Sequence, residues 1–127
     1  RSSLMRDRKF ALEFAREWVK ARNPHDLEAI LSHYSDDFEM TSPFISSVTG
    51  GSSNTLNGKD AVGEYWSVAL SKFTDLRFEI SDVLVSQDSL VIYYRSAHSG
   101  GHRMAAELFI FDDQGLVTKS IAHYDEF

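Results

Sequence analysis

The sequence predicts an α+β fold formed by a single domain over residues 1–127, with helices in the N-terminal half and antiparallel strands in the C-terminal half. Three observations lead to this prediction. Apolar residues recur at helical spacing in the first half of the chain. The stretch from Leu90 to Tyr124 contains three β-rich runs. Two turn signals, Ser99-Gly100-Gly101 and Asp112–Gly115, separate these runs, as in an antiparallel meander.

Composition narrows the possible functions. The net charge is −6, from 13 basic and 19 acidic residues, and phosphate contacts need a basic surface, so no nucleic acid partner is expected. Cysteine is absent, which excludes disulfides, thiol nucleophiles and thiolate zinc sites. No apolar run approaches the roughly 20 residues of a membrane span, and the N-terminus lacks the apolar segment of a signal peptide. We therefore expect a cytoplasmic protein with no membrane partner.

Two helices are predicted at the start of the chain. The first carries an apolar stripe and has Ser2 or Ser3 as its candidate N-cap. The second is short and follows Asn23-Pro24, where Asn23 suits the N-cap and Pro24 the first helical position. The residues of the two inner faces are Phe10, Ala11, Phe14, Trp18 and Ala21, then Leu27, Ile30, Leu31 and Tyr34.

The middle of the chain is predicted to alternate between regular and irregular structure. A short strand covers Asp37–Pro43, and the Ser- and Gly-rich stretch Phe44–Asn57 reads as an irregular, mobile rim. A third helix follows, with Asn57 as its N-cap and Val62, Tyr65 or Trp66, Ala69 and Phe73 inside. A strand over Leu76–Val85 then leads into the meander.

Strand pairing predicts which meander residues share a face. If Gly100-Gly101 is a two-residue hairpin turn, His98 lies opposite Arg103 and Tyr94 opposite Glu107. His98 and His102 then point to opposite faces, which argues against a metal site. Because the two faces alternate, one side of the hairpin carries Leu90, Ile92, Tyr94, Ser96, His98, Arg103, Ala105, Glu107, Phe109 and Phe111.

The order of these elements resembles the nuclear transport factor 2-like superfamily, especially its SnoaL-like and ketosteroid isomerase-like branches. The resemblance covers nearly the whole chain. Each motif is weak alone, but their order and spacing together are fairly specific. The residues that carry it are Trp18, Asp26-Leu27-Glu28-Ala29-Ile30, Tyr34-Ser35-Asp36-Asp37-Phe38, Ser42-Pro43, Asn57-Gly58-Lys59-Asp60-Ala61-Val62 with Tyr65-Trp66, and Phe111-Asp112-Asp113-Gln114-Gly115-Leu116-Val117.

The resemblance implies a cone-shaped α+β barrel, in which a curved mixed or antiparallel sheet wraps around three helices and leaves an apolar cavity open at one end. It also implies a homodimer formed through the sheet. Under the resemblance the Glu107 face of the hairpin is the cavity face. Of His123 and Tyr124, which alternate, we expect Tyr124 to face inward. The candidate ligand-binding residues of this cavity are Trp18, Tyr34, Met40, Ser42, Trp66, Tyr94, His98, Arg103, Phe109 and Tyr124.

Two positions depart from the ketosteroid isomerase pattern. Trp18 stands where that family carries its oxyanion-hole tyrosine, and Ser42 stands where it carries the aspartate that moves the proton. A serine has no proton affinity near neutral pH, so the isomerase mechanism does not transfer. Glu107, at the position of the oxyanion-hole acid, remains the candidate catalytic acid or base.

Glu107 has two interpretations. Apolar surroundings would raise its pKa and suit it to proton transfer, or it is a buried structural carboxyl paired with Arg103, Tyr94 or His98. The predicted function is accordingly binding of a small apolar or aromatic molecule in an aromatic-lined cavity, with isomerase, cyclase or dehydratase chemistry that needs no cofactor. The alternative is a non-catalytic binding or dimerisation module.

Overall fold

The structure is a computed structural model that describes residues 7–126. Helices and strands follow the predicted order, with two additional short elements in the middle of the chain. The elements are α1 (Arg8–Arg22), α2 (Leu27–Leu31), β1 (Tyr34–Thr41), α3 (Ile45–Thr49), β2 (Thr55–Asn57), α4 (Lys59–Lys72), β3 (Arg77–Val85), β4 (Ser89–His98), β5 (Gly101–Phe111) and β6 (Val117–Tyr124).

Helix α1 begins at Arg8, and Asp7 is its N-cap because the Asp7 carboxylate accepts a 2.9 Å hydrogen bond from the Phe10 amide. The predicted caps Ser2 and Ser3 lie outside the described residues. The predicted apolar stripe is confirmed from Ala11 to Ala21, Phe10 is only partly buried, and the buried face extends one residue beyond Ala21 to Arg22. Its buried members are Ala11, Phe14, Ala15, Trp18, Ala21 and Arg22.

The predicted start of the second helix at Asn23 is wrong. Asn23 is the C-cap of α1, and Asp26 caps α2 by accepting a hydrogen bond from the Ala29 amide. The side chain of Asn23 is used elsewhere: its amide group donates to the Phe78 carbonyl at 3.1 Å and accepts from the Phe78 amide at 2.8 Å. This pair of bonds fixes the end of α1 to strand β3, which a local reading of Asn-Pro could not reveal.

The stretch Phe44–Asn57, predicted as an irregular rim, contains both additional elements. Helix α3 is anchored by Ile45, which is fully buried, and ends at Gly50 in a left-handed conformation with φ 77°. Strand β2 pairs with β1, where Leu56 lies opposite Met40. Asn57 is the last residue of β2, so it is not the helix cap that was predicted. Gly58 precedes α4 instead, with no side-chain capping bond.

The strands form one six-stranded mixed sheet in the order β2-β1-β6-β5-β4-β3. Strands β1 and β6 are parallel, and every other neighbouring pair is antiparallel. The buried residues of α1 and α4 pack against one face of this sheet. No helix in the described part of the chain is long and apolar enough to cross a membrane.

The predicted register of the β4–β5 hairpin is wrong by two residues. His98 pairs with Gly101, so the two loop residues are Ser99 and Gly100, and Glu107 lies opposite Ile92 instead of Tyr94. Gly101 has φ 134°, a conformation that favours glycine, and a Cβ at Gly100 would come within 2.7 Å of the His98 ring, which would then have to shift. Because the error is an even number of residues, the predicted division of side chains between the two faces is confirmed.

Candidate ligand-binding site

Glu107 is the most buried carboxylate of the inner sheet face, with 4% of its surface exposed. The Tyr94 hydroxyl, on the neighbouring strand, donates a 3.3 Å hydrogen bond to its Oε1 atom. Burial raises the pKa of Glu107, and the nearby Arg22, Tyr94 and Ser120 side chains oppose this rise only in part. The carboxyl group therefore retains its proton to a higher pH than an exposed glutamate.

Arg22 is the residue of this site that sequence reasoning missed. Its side chain is 8% exposed, and its Nη2 atom donates a 3.0 Å hydrogen bond to the Tyr34 hydroxyl. Burial alone would lower the pKa of Arg22, but Tyr34 and Glu107 raise it, so the guanidinium is charged. The sequence did contain an indication that Arg22 is buried: it follows Trp18 by four positions, so it continues the buried stripe of α1.

Aromatic rings surround the Arg22 guanidinium. Its central carbon lies 4.1 Å from the Trp66 ring centre and 5.3 Å from that of Trp18. The Tyr34 ring packs 5.1 Å from Trp66. Because the faces of aromatic rings attract cations, this arrangement stabilises a buried positive charge.

Hydroxyl groups connect Glu107 to a pocket at the edge of the interior. Tyr94 contacts Glu107, and Tyr124 interacts in turn with Tyr94 and with Ser42. Burial raises the pKa of both Tyr94 and Tyr124 well above the ordinary value for tyrosine. Tyr124 lies on the inner face as predicted, whereas His123 is exposed.

The pocket lies beside the β4–β5 turn and has a volume of about 170 Å³. Most of its wall is apolar, and Arg103 and His98 supply its charged and titratable groups. We call it the aromatic pocket. It is lined by Phe44, Ser47, Val48, Tyr65, Ala69, Phe73, Leu76, Phe78, Ser96, His98, Arg103 and Tyr124.

The predicted cavity residues fall into two groups. His98, Arg103 and Tyr124 line the aromatic pocket. The others are buried among side chains behind it, as Trp18 illustrates by stacking on Phe78 with ring centres 5.2 Å apart. This second group comprises Trp18, Tyr34, Met40, Ser42, Trp66, Tyr94, Phe109 and Glu107, each at most 5% exposed.

A larger groove of about 330 Å³ lies on the other side of Val48 and Tyr65, between α3, β2 and α4. It is more open than the aromatic pocket. Neither Arg103 nor Tyr124, the residue that connects the aromatic pocket to Tyr94 and Glu107, lines it. Its greater volume reflects an open surface depression, so we regard the aromatic pocket as the better ligand site. Within residues 7–126, no cluster of three or more His, Asp or Glu side chains could hold a metal ion.

The sequence and the fold both match known proteins. The model of the SnoaL-like domain matches residues 15–120. A SnoaL-like protein of unknown function from Burkholderia thailandensis is 48% identical, covers 94% of this chain and 98% of its own, and superposes with a TM-score of 0.87. No curated protein matches.

More distant structures share the fold. A Methylobium petroleophilum protein of unknown function, described as having a cystatin-like fold, is 16% identical over 97% of this chain and 80% of its own, with a TM-score of 0.77. A Mycobacterium tuberculosis protein solved in complex with estradiol-17beta-hemisuccinate is 21% identical over 91% of this chain and 94% of its own, with a TM-score of 0.72. The matched domain and the 48% identical structure show that this chain belongs to the SnoaL-like family.

Proposed function

We propose that the protein binds a small, largely apolar molecule in the aromatic pocket. One observation carries this proposal: a cavity of about 170 Å³ is walled mainly by Phe44, Phe73, Phe78 and Leu76, with the Tyr124 side chain beside them. Concave apolar pockets with a few polar groups are the usual form of a small-molecule site. The buried rings behind the pocket support its walls.

The volume favours a ligand of about one ring. An apolar cavity of roughly 150 Å³ binds benzene, whereas sites for drug-sized ligands begin at roughly 300 Å³. The Mycobacterium tuberculosis relative was solved with an estradiol derivative, but a four-ring steroid exceeds the 170 Å³ found here. A single aromatic ring or a short branched hydrocarbon fits this space.

Filling the pocket tests the proposal. Ala69 lines the pocket from α4, and Ser67 is exposed on the same helix. Single-ring compounds should raise the melting temperature of the wild-type protein and of Ser67→Phe, while Ala69→Phe should lose the response. Equal responses in both variants, or a flat response of the wild-type protein to the whole panel, would exclude the pocket as a ligand site.

Cofactor-free proton transfer is a second candidate function, favoured by the contacts from Glu107 through Tyr94 to Tyr124. In the protonated form of Glu107, its hydroxyl would donate to Tyr94 and turn the Tyr94 hydroxyl toward Tyr124. Tyr124 would then give its proton to the ligand and recover one from Tyr94, Tyr94 would recover one from Glu107, and the proton that the ligand releases would return to Glu107 by the same path. Isomerisation, cyclisation and dehydration all need such a step. Glu107→Gln should abolish turnover while leaving ligand binding intact, and unchanged turnover would contradict the catalytic role.

A non-catalytic dimerisation module is the alternative, and the outer face of the sheet favours it. A row of apolar residues crosses four strands there, with Leu84 paired to Val91, Val91 to Leu108, and Leu108 to Ile121. Leu84 is 59% exposed, and Tyr93 in the adjoining row is 43% exposed. A second copy of the chain would cover this row, and sedimentation of the wild-type protein would show whether it forms a dimer.

A further inference from the structure

The aromatic pocket has one positively charged end. Arg103 and His98 lie at that end, on the two strands of the β4–β5 hairpin, and Phe44, Phe73 and Phe78 are among the apolar residues of the wall. The protein as a whole carries a net charge of −6, so the charge of this cationic group is opposite in sign to the net charge of the protein.

Arg103 forms few polar contacts. Its guanidinium lies 5.1 Å from the Phe44 ring centre, and its Nη1 atom donates a long hydrogen bond of 3.4 Å to the Glu126 carbonyl. No ion pair links it to a carboxylate of residues 7–126. A guanidinium has five N–H donors, so most of those of Arg103 are available to a ligand.

Three acidic residues of the described chain lie near this end, and none forms an ion pair with Arg103: the contact from Glu126 is made by its carbonyl, and Asp75 and Asp125 bond to backbone amides. The Asp75 carboxylate accepts a 2.6 Å hydrogen bond from the Ser99 amide, and the Asp125 carboxylate accepts a 3.1 Å bond from the Met104 amide. These bonds hold the two carboxylates on the backbone, that of Asp75 at the hairpin turn and that of Asp125 on β5 beside Arg103. They leave the charge of Arg103 facing the pocket without a paired anion.

His98 supplies a second donor. Its Nδ1 atom accepts a 2.9 Å hydrogen bond from the Gly100 amide, so the neutral ring carries its proton on Nε2. The ring packs against Phe73 with centres 5.1 Å apart, which fixes its orientation at the pocket wall. A ligand group at this end thus meets two donors from the protein.

We infer that the ligand of the aromatic pocket is a small aromatic carboxylate, whose ring packs among Phe44, Phe73 and Phe78 and whose carboxylate binds Arg103, with the His98 Nε2–H as a second donor. Planar carboxylates match the guanidinium fork in two parallel hydrogen bonds. The inference rests on the proposed ligand-binding function, and it adds the charge of the ligand.

Phenylacetate and its neutral isostere phenylacetamide provide the test, with binding measured by calorimetry. The wild-type protein should bind phenylacetate roughly 10- to 100-fold more tightly than phenylacetamide, the range expected for hydrogen bonds to a charged group. Arg103→Gln should remove this preference. Arg95→Gln is the matched control, because Arg95 is exposed on the other face of the same hairpin and should keep the preference.

The outcomes separate the inference from the function on which it rests. Equal binding of acid and amide, or a preference that survives Arg103→Gln, would overturn the anionic ligand and leave the pocket as a neutral ligand site. Binding of toluene with no binding of phenylacetate would do the same. If neither acid, amide nor toluene binds at millimolar concentration, the inference and the proposed function both fail.

Discussion

The Arg22 guanidinium donates a 3.0 Å hydrogen bond to the Tyr34 hydroxyl in the interior, on the helical side of the sheet that carries Glu107. Both side chains are almost completely buried. A buried cation is costly unless hydrogen bonds, rings or an opposite charge compensate it. Arg22 has all three, since Trp66 packs on the guanidinium and Glu107 is near enough to raise its pKa.

Removal of the Arg22 charge should destabilise the protein. We expect Arg22→Met, which keeps the aliphatic stem, to lower the free energy of unfolding by about 3 kcal/mol, as for a buried pair that loses one partner. Urea denaturation measures this change. Arg16→Met, at an exposed position of α1, is the control and should change the free energy of unfolding by less than about 0.5 kcal/mol.

The coupling between Arg22 and Glu107 can be tested separately. If the two charges compensate each other, the double variant Arg22→Met/Glu107→Gln should lose less stability than the sum of the two single losses. Strict additivity of the two changes would show that Glu107 does not interact with Arg22.

The raised pKa of Glu107 predicts a pH-dependent stability. Burial raises this pKa above its unfolded value of about 4.3, so the folded state holds the proton more tightly than the unfolded state. The resulting stabilisation is complete below the unfolded pKa and is lost as pH rises through the folded pKa. Relative to Glu107→Gln, the wild-type protein should therefore become less stable in urea titrations as the pH rises from the unfolded pKa through the folded pKa of Glu107. A difference that stays constant with pH would contradict the raised pKa.

Tyr34 should resist ionisation. Burial raises its pKa to about 12, although the Arg22 charge opposes the rise. In the folded protein, Tyr34→Phe should leave the tyrosinate absorbance unchanged until the pH nears 12. The same variant should lower the free energy of unfolding by roughly 1 to 2 kcal/mol, because the Arg22 guanidinium loses a hydrogen bond. A tyrosinate signal at lower pH that disappears in Tyr34→Phe would disprove the assignment.

If a second copy of the chain covers the outer row, which consists of Leu84, Val91, Leu108 and Ile121, a charged residue introduced into this row should dissociate the dimer. Leu108 occupies the middle of this row, and Leu108→Lys should shift the protein to monomer in sedimentation experiments because a lysine is costly to bury without a partner. Ser86→Lys, at an exposed position after β3, should keep the wild-type distribution. A wild-type monomer at high micromolar concentration would contradict the proposed dimer.

The sequence predicted the faces of the sheet better than its exact pairing. Side chains in a strand alternate with a period of two, so the pattern alone predicts that Tyr94, Glu107 and Phe109 share one face, and the family resemblance identified that face as the inner one. The hairpin register depends on which two residues form the loop. Ser99-Gly100 and Gly100-Gly101 are both good turn sequences, so the local sequence does not distinguish the observed register, in which His98 pairs with Gly101, from the predicted one.

Long-range contacts account for the elements and residues that were missed. Helix α3 depends on the burial of Ile45, and β2 exists because Leu56 pairs with Met40 across the sheet. The sequence around them is rich in Ser and Gly, and this local composition predicts neither a helix nor a strand. Arg22 was overlooked because arginine is rarely buried, although its helical spacing from Trp18 placed it on the inner face.

The central claim is that the aromatic pocket holds a small ring. An NMR titration of the wild-type protein with toluene tests this claim most directly. We expect saturable chemical-shift changes centred on the backbone amides of Phe44, Phe73, Leu76 and Tyr124, which line the pocket, and no such changes in Ala69→Phe. Changes centred on the outer row of Leu84 and Val91, or the same pocket response in Ala69→Phe, would contradict the account.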